Sequence, residues 1–186
     1  MKNIVFFGYI ILILSCCGAN NIKQPLGQKR ERYDYYENFS SKNVEKRDIE
    51  VWLPEGYDKA QSLPVLYMFD GQNIFHGFRG WDKDKYNHGW QVDETLDSLY
   101  NSGRIPKVIV VGIHSIGKRR YSEYTPAKPK SLIKKRMSNA KTRYREVYMK
   151  YGIISDKFLK FIVEELKPFI DRNYKTVSGR DGTFLA

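Results

Sequence analysis

Cysteine runs out early in this sequence. Of the 186 residues only Cys16 and Cys17 are cysteine, so everything after residue 17 is held without a disulfide, even in a compartment that would permit one. Acidic residues are scarce in one segment: from Lys118 to Lys150, twelve Lys or Arg face two Glu and supply ten of the eleven net positive charges. The remainder is nearly neutral, so the surplus reads as a solvated basic face or insertion and not as a nucleic-acid surface spread over the chain. A long apolar run is missing too. The stretch from Ile4 to Leu14 falls short of the roughly 20 residues that a spanning helix needs. What is present excludes general disorder: 41% of residues are hydrophobic and 15% aromatic, enough for one domain with a core.

The short apolar stretch follows a basic residue, Lys2, and ends in Ile13-Leu14-Ser15-Cys16-Cys17. A basic start, an apolar centre and small residues before a cysteine make an export signal, and its end resembles a bacterial lipobox. The expectation is that residues 1–16 direct export and that Cys16 is lipidated, with Cys17 as the alternative one position on. The product would be a bacterial lipoprotein, periplasmic or on the cell surface, attached to the membrane through its lipid; the alternative is a plain signal peptide, or a short anchor, with incidental cysteines. With export, no nucleic-acid partner is expected. Residues 17–45 read as a polar tether without helical or strand period. Its aromatics, Tyr33, Tyr35 and Tyr36, either pack on the domain or form a first irregular strand.

From residue 46 the pattern becomes regular. Ile49, Val51 and Leu53 alternate with Asp48, Glu50 and Trp52, as in a strand with one better-buried face, and Pro54-Glu55-Gly56 ends it. Val65 to Phe69 and Val108 to Ile113 are fully apolar, the pattern of strands buried on both faces. Between them Val92, Leu96 and Leu99 fall at helical spacing with Gly103 as a stop. Ser155 is expected to cap a helix running to about Asp171, which Pro168 should kink or end early. Thr183 to Ala186 begins another strand. Strand and helix alternate, so the expected class is α/β, a mostly parallel sheet with helices on both faces.

Five stretches then carry a resemblance: "IEVWLPEGYD", "LPVLYMFDGQNIF", "GWQVDETLDSLYNSGRIPKVIVVGI", "RRYSEYTP" and "FIVEELKPFIDRNYKT". In this order they are similar to the esterase branch of the α/β-hydrolases, which holds enterochelin esterase-like, feruloyl and acetylxylan esterase-like, and S-formylglutathione hydrolase-like enzymes. The resemblance implies that residues 46–186 are the N-terminal half of an α/β-hydrolase fold, truncated before its nucleophile. It implies further that the loop after Val65 to Phe69 helps form an oxyanion hole, with the amide of Gly71 or Gln72 as donor, and that Asp70, Asn73, Trp90 and Arg120 rim the pocket. The family's Gly-x-Ser-x-Gly elbow does not occur in these 186 residues, and the acid and histidine that follow it in chain order would also lie beyond Ala186. No catalytic residue is therefore expected within the chain, and it should be inactive by itself. In intact relatives the resemblance implies hydrolysis of a small-molecule or carbohydrate-linked carboxylic ester through an acyl-enzyme.

Neither a metal nor any other cofactor is expected. Asp82, Asp84 and Asp93 fall at three places of a calcium-loop pattern, but Tyr86 and Asn87 stand where an oxygen ligand and a glycine are needed. His76, His88 and His114 precede the expected elbow and read as loop or pocket-rim residues. Trp81 and Trp90 could line a pocket or pack in the core, and Arg120 with Glu123 could touch an anionic substrate but reads better as a structural ion pair. The alternative to an esterase is a non-catalytic surface module that binds through this pocket or through the basic segment 118–150.

Overall fold

The computed structural model describes residues 28–75, 89–128, 130–139 and 142–186. In chain order the elements are β1 (Gln28–Arg30), β2 (Tyr33–Phe39), β3 (Arg47–Trp52), β4 (Val65–Phe69), α1 (Val92–Asn101), β5 (Ile109–Ile113), α2 (Arg120–Tyr124), α3 (Lys130–Asn139) and α4 (Thr142–Tyr151). They continue with α5 (Ser155–Lys160), a π-helical segment Phe161–Leu166, α6 (Lys167–Asn173) and β6 (Thr183–Leu185). The six strands form one sheet in the order β1-β2-β3-β5-β4-β6.

The α/β class holds, and the core strands of the sheet are parallel as expected. Strands β4, β5 and β6, joined through helical crossovers, are parallel. The β1–β2, β2–β3 and β3–β5 pairs are antiparallel, so the sheet is mixed. One correction concerns the tether. Residues 28–39, inside the stretch 17–45, form two strands, with Tyr33 and Tyr36 opposite Trp52 and Ile49 of β3. Folded structure therefore reaches back at least to Gln28.

Both faces of the sheet are covered. On one, Ile49, Val51, Val65, Tyr67, Val111 and Ile113 pack with Phe158, Phe161, Leu166 and Ile170 of the α5–α6 helix. On the other, Trp52, Val110, Ile74 and Phe75 pack with Val92 and Leu96 of α1. Trp52, expected on the less buried side of β3, is only 1% exposed, because α1 makes that side a second core. Arg32 pins α1 by a bidentate bond to Asp97, at 2.7 and 2.8 Å, while its guanidinium lies over the Trp52 ring. Gly103, at φ +68°, donates to Tyr100 O, and Arg104 donates to Leu99 O. That left-handed closure ends α1 where the sequence put its stop.

The last helix departs from expectation at both ends. Ser155 is its first residue and not its cap, for Ile154 holds the cap position and the Ser155 hydroxyl is buried with no partner among the described residues. Nor does Pro168 end it, since the helix continues to Asn173. A proline clashes with the carbonyl four residues back, here that of Glu164. That carbonyl lies in the π segment, whose wider turn makes room for the ring.

Candidate active site

Strand β4 delivers its chain to the carboxyl edge of the parallel strands, where open α/β sheets place ligands. Asp70 follows in the left-handed region, at φ 55° and ψ 41°, and turns the backbone into a 3-10 turn, Gly71–Asn73. This conformation is unfavourable for a residue with a Cβ, and the surroundings hold it. Arg120 Nε donates to both Asp70 carboxylate oxygens at 2.8 and 2.9 Å, and its Nη2 donates to Oδ2 at 2.6 Å. The Asp70 amide donates to Tyr124 Oη at 3.3 Å. Burial and then the Asp70 charge push the Tyr124 phenol up, so it remains a neutral hydroxyl.

Arg120 and Glu123 do not pair with each other, as the sequence suggested. Arg120 reaches Asp70, and Glu123 reaches Arg47 at the start of β3, at 2.6 and 3.0 Å. Helix α2 thus sends one charge to the loop and one into the core.

Gly71 lies against β5. A Cβ there would stand 2.5 Å from the Gly112 carbonyl carbon and 2.7 Å from the Ile113 nitrogen. Gly112 is hemmed in likewise, because its own Cβ would meet Ile74 Cδ1 at 2.8 Å. The two glycines therefore let the β4 loop sit on the end of the neighbouring strand, and Gly71 is required first by that backbone approach. We expect Gly71→Ala to cost about 1–3 kcal/mol, the usual range for overpacking, read as a lower denaturant midpoint at unchanged slope. A loss below about 0.5 kcal/mol would show that the loop can lift off β5 freely, since that is the size of an unremarkable surface change.

The Gln72 side chain fixes the loop from its other side. Its Nε2 donates to Ser115 Oγ and its Oε1 accepts from the Ser115 amide, both at 2.9 Å. That two-point contact ties the loop after β4 to the loop after β5. Among the described residues the backbone amides of Gly71 and Gln72 have no acceptor. Asn73 O accepts from the Trp90 amide at 2.7 Å, and the Trp90 side chain is 51% exposed. The residues Asp70, Gly71, Gln72, Asn73, Trp90 and Arg120 therefore do gather at one place, with Trp90 on its surface and not in the core. Sequence reasoning missed Ser115, Tyr124 and Gly112. The glycine inside an otherwise β-branched run was the available signal, for such a glycine marks a close backbone approach.

His114 follows β5 but is packed inward and is not at a rim. It is 7% exposed, edge-on to Tyr35 at 5.9 Å, with Nε2 4.0 Å from a Glu50 oxygen. Asp93 lies in α1 and accepts a hydrogen bond from Tyr33 Oη. Among the described residues no group of three or more His, Cys, Asp or Glu could hold a metal ion. Cys16, Cys17, His76, Trp81, Asp82, Asp84 and His88 lie outside the described residues. The basic segment 118–150 forms α2, α3 and α4.

Comparison with solved structures returns the same architecture. An IroE-like serine hydrolase from Shewanella oneidensis matches at 29% identity and a TM-score of 0.53, over 77% of this chain and 39% of its own. The BES protein from Bacillus cereus matches at 17% identity and a TM-score of 0.51, over 89% of this chain and 55% of its own. A ferulic acid esterase from Anaeromyces mucronatus, solved with ferulic acid, is 20% identical with a TM-score of 0.47, over 89% of this chain and 49% of its own. The chain thus spans about 39% to 55% of the length of these structures. A family model described as "Putative esterase" matches residues 40–185, a span that takes in the whole loop before β3, the turn after β4 and β6. On that match the chain belongs to the Esterase family.

Proposed function

We propose that these residues form the oxyanion-stabilising side of a serine esterase site acting on a small-molecule or carbohydrate-linked carboxylic ester. One observation carries the reading. Gly71 is pinned on Gly112, the Gln72 side chain is spent on Ser115, and among the described residues neither backbone amide has an acceptor, which leaves both for a ligand. In acyl transfer, negative charge grows on the carbonyl oxygen, and donors fixed in advance stabilise it without reorganisation. Removing one such donor in a related chemistry costs about 3–4 kcal/mol of barrier.

On this reading none of the serines present is the attacking group. Ser115 Oγ already accepts from Gln72 and Ser122 is fully buried, and no Gly-x-Ser-x-Gly occurs. The chain by itself should show no hydrolysis of short-acyl nitrophenyl esters above a heat-treated control, and no labelling by a fluorophosphonate. Joined to the elbow and C-terminal half of a relative, it should label at the added serine. Stoichiometric labelling of the unextended chain at Ser115, Ser122 or any other of its serines would sink the proposal.

Export and anchoring complete the reading, on the strength of Lys2, the apolar stretch and Leu14-Ser15-Cys16. In a bacterial host the chain should take up labelled fatty acid and lose it in Cys16→Ser. Loss in Cys17→Ser instead moves the site by one residue, and an unlabelled wild type removes the anchor.

A further inference from the structure

The opposite end of the sheet carries a cleft that the esterase reading does not use. It has a volume of about 340 Å³ and lies where β2, the chain after β3 and the end of α6 meet. Asp34, Tyr36 and Tyr174 line its depth, and Tyr57, Asp58 and Lys59 its mouth. The position, beside Leu53 and Tyr174, is at the amino ends of β4 and β5, across the sheet from Gly71.

The hydroxyls in the depth form a one-way chain. Tyr174 Oη donates to Asp34 Oδ2 at 2.6 Å, which uses its proton, so at the 2.8 Å contact with Tyr36 it is Tyr36 that donates. Burial raises both phenols, and for Tyr174 the Asp34 bond raises it further. They stay neutral donors and cancel no charge on the carboxylate. Asp34 is 7% exposed. Its second oxygen, Oδ1, has no hydrogen bond and no ion pair among the described residues.

Two further sources of negative potential converge on the same space. Asp58 stands exposed at the mouth. The long helix beginning at Ser155 ends at Asn173, beside the cleft, and a helix carboxyl end carries roughly half a negative charge. Against these stands Lys59, which lines the mouth and pairs with neither Asp34 nor Asp58. A metal is disfavoured, since among the described residues no cluster offers three ligands.

We propose that this cleft binds a primary ammonium on a short aliphatic stem, its nitrogen against Asp34 Oδ1 and its stem along Leu53 and the Tyr57 ring. An ammonium supplies the donors the free oxygen needs, and an aromatic face nearby adds cation–π attraction. The half-buried Leu53 and Tyr57 give the stem an apolar wall. Because the site lies across the sheet from the ester site, it does not depend on the reaction proposed there.

The test is calorimetric titration of the full chain, carrying Cys16→Ser and Cys17→Ser, with n-butylamine, n-butanol and butyrate at matched ionic strength. Saturable binding of butylamine alone is expected. Asp34→Asn, which keeps an acceptor for Tyr174, should weaken it by about tenfold or more, the scale of a lost charge-assisted bond. Should that variant fold poorly, two exposed changes carry the test. Asp58→Asn should weaken binding roughly twofold to fivefold and Lys59→Ala should strengthen it by a similar factor, the range of partly screened charges. Equal binding by wild type, Asp58→Asn and Lys59→Ala overturns the proposal, as does butanol binding as well as butylamine. Lys29 is the Cα partner of Asp34 across β1–β2. Binding that appears only in Lys29→Ala would mean that the chain fills the cleft with its own cation, and that also overturns it.

Discussion

Glu123→Ala should lower the unfolding free energy by about 3–5 kcal/mol, the usual loss when one partner of a buried ion pair is removed. Arg47 and Glu123 are 0% and 1% exposed in their side chains and joined by two bonds, one of 2.6 Å. Phe158 and Phe161 lie under the guanidinium at about 5 Å. Removing Glu123 strands a cation among aromatic rings, with one long bond to Glu45 O left to it. The attraction itself is not the large term, for desolvating both charges offsets most of it. The double variant Arg47→Met/Glu123→Leu should therefore recover most of the loss. Urea titration of the three proteins gives the answer, and a Glu123→Ala loss under about 1 kcal/mol would mean that water reaches Arg47 readily. The consequence extends to the loop, because α2 holds Arg120 as well as Glu123. A chain weakened at Glu123 should also hold Asp70 less firmly, detectable as faster exchange of the Asn73 amide, which donates to Asp70 O at 2.8 Å.

The parts of the fold legible in the sequence are those whose burial differs from their neighbours'. Val65 to Phe69 and Ile109 to Ile113 are solid apolar runs, and both are central strands. Helix α1 was legible from Val92, Leu96 and Leu99 and from the Gly103 stop. Strand β2 was not, because both its faces are covered. Tyr36 packs with the α5–α6 side, while Tyr33 packs with the α1 side, edge-on to Phe75 at 5.7 Å. Aromatic residues then fall on both faces, with no polar face to reveal a period. Trp52 misled for the same reason.

The loop at the site was legible as a turn, since Asp-Gly after a buried run has few other uses. What positions it was not. Gln72 and Ser115 are 43 residues apart, and Gly71 meets Gly112 only because β4 and β5 are neighbours in register. Arg120 and Glu123 looked like an i, i+3 pair because that spacing puts side chains on one helix face. Local spacing could not show that Asp70 and Arg47 offer each of them a better partner. Asp70 itself was read as pocket rim, and its 6% exposure makes it a support beneath the loop, gripping Arg120 above it.

The second large effect is a pH dependence at α1. Burial first, then a hydrogen bond with Glu94, holds the Asp93 carboxyl up to about 6, against an ordinary 3.8. Asp93 is 4% exposed, and its Oδ1 has no partner among the described residues. A raised acid pKa means that the folded chain binds this proton more tightly than the unfolded chain does. Stability must then fall as pH rises from about 4 to about 6, and the full penalty is present at pH 7. A rise of that size corresponds to about 2–3 kcal/mol. Asp93→Asn keeps an oxygen to accept from Tyr33 and removes the charge. At pH 7 it should be the more stable chain by about 2 kcal/mol, and the advantage should shrink to near zero by about pH 4, where wild-type Asp93 is protonated in the fold. Taking the difference between the two proteins cancels the acid sensitivity of every other carboxylate except Glu94, which shares a hydrogen bond with Asp93. An advantage that stays constant from pH 4 to 7 would show that the gain comes from packing and that Asp93 titrates normally. Its absence at every pH would place the charge in water, with the Tyr33 bond repaying whatever burial costs.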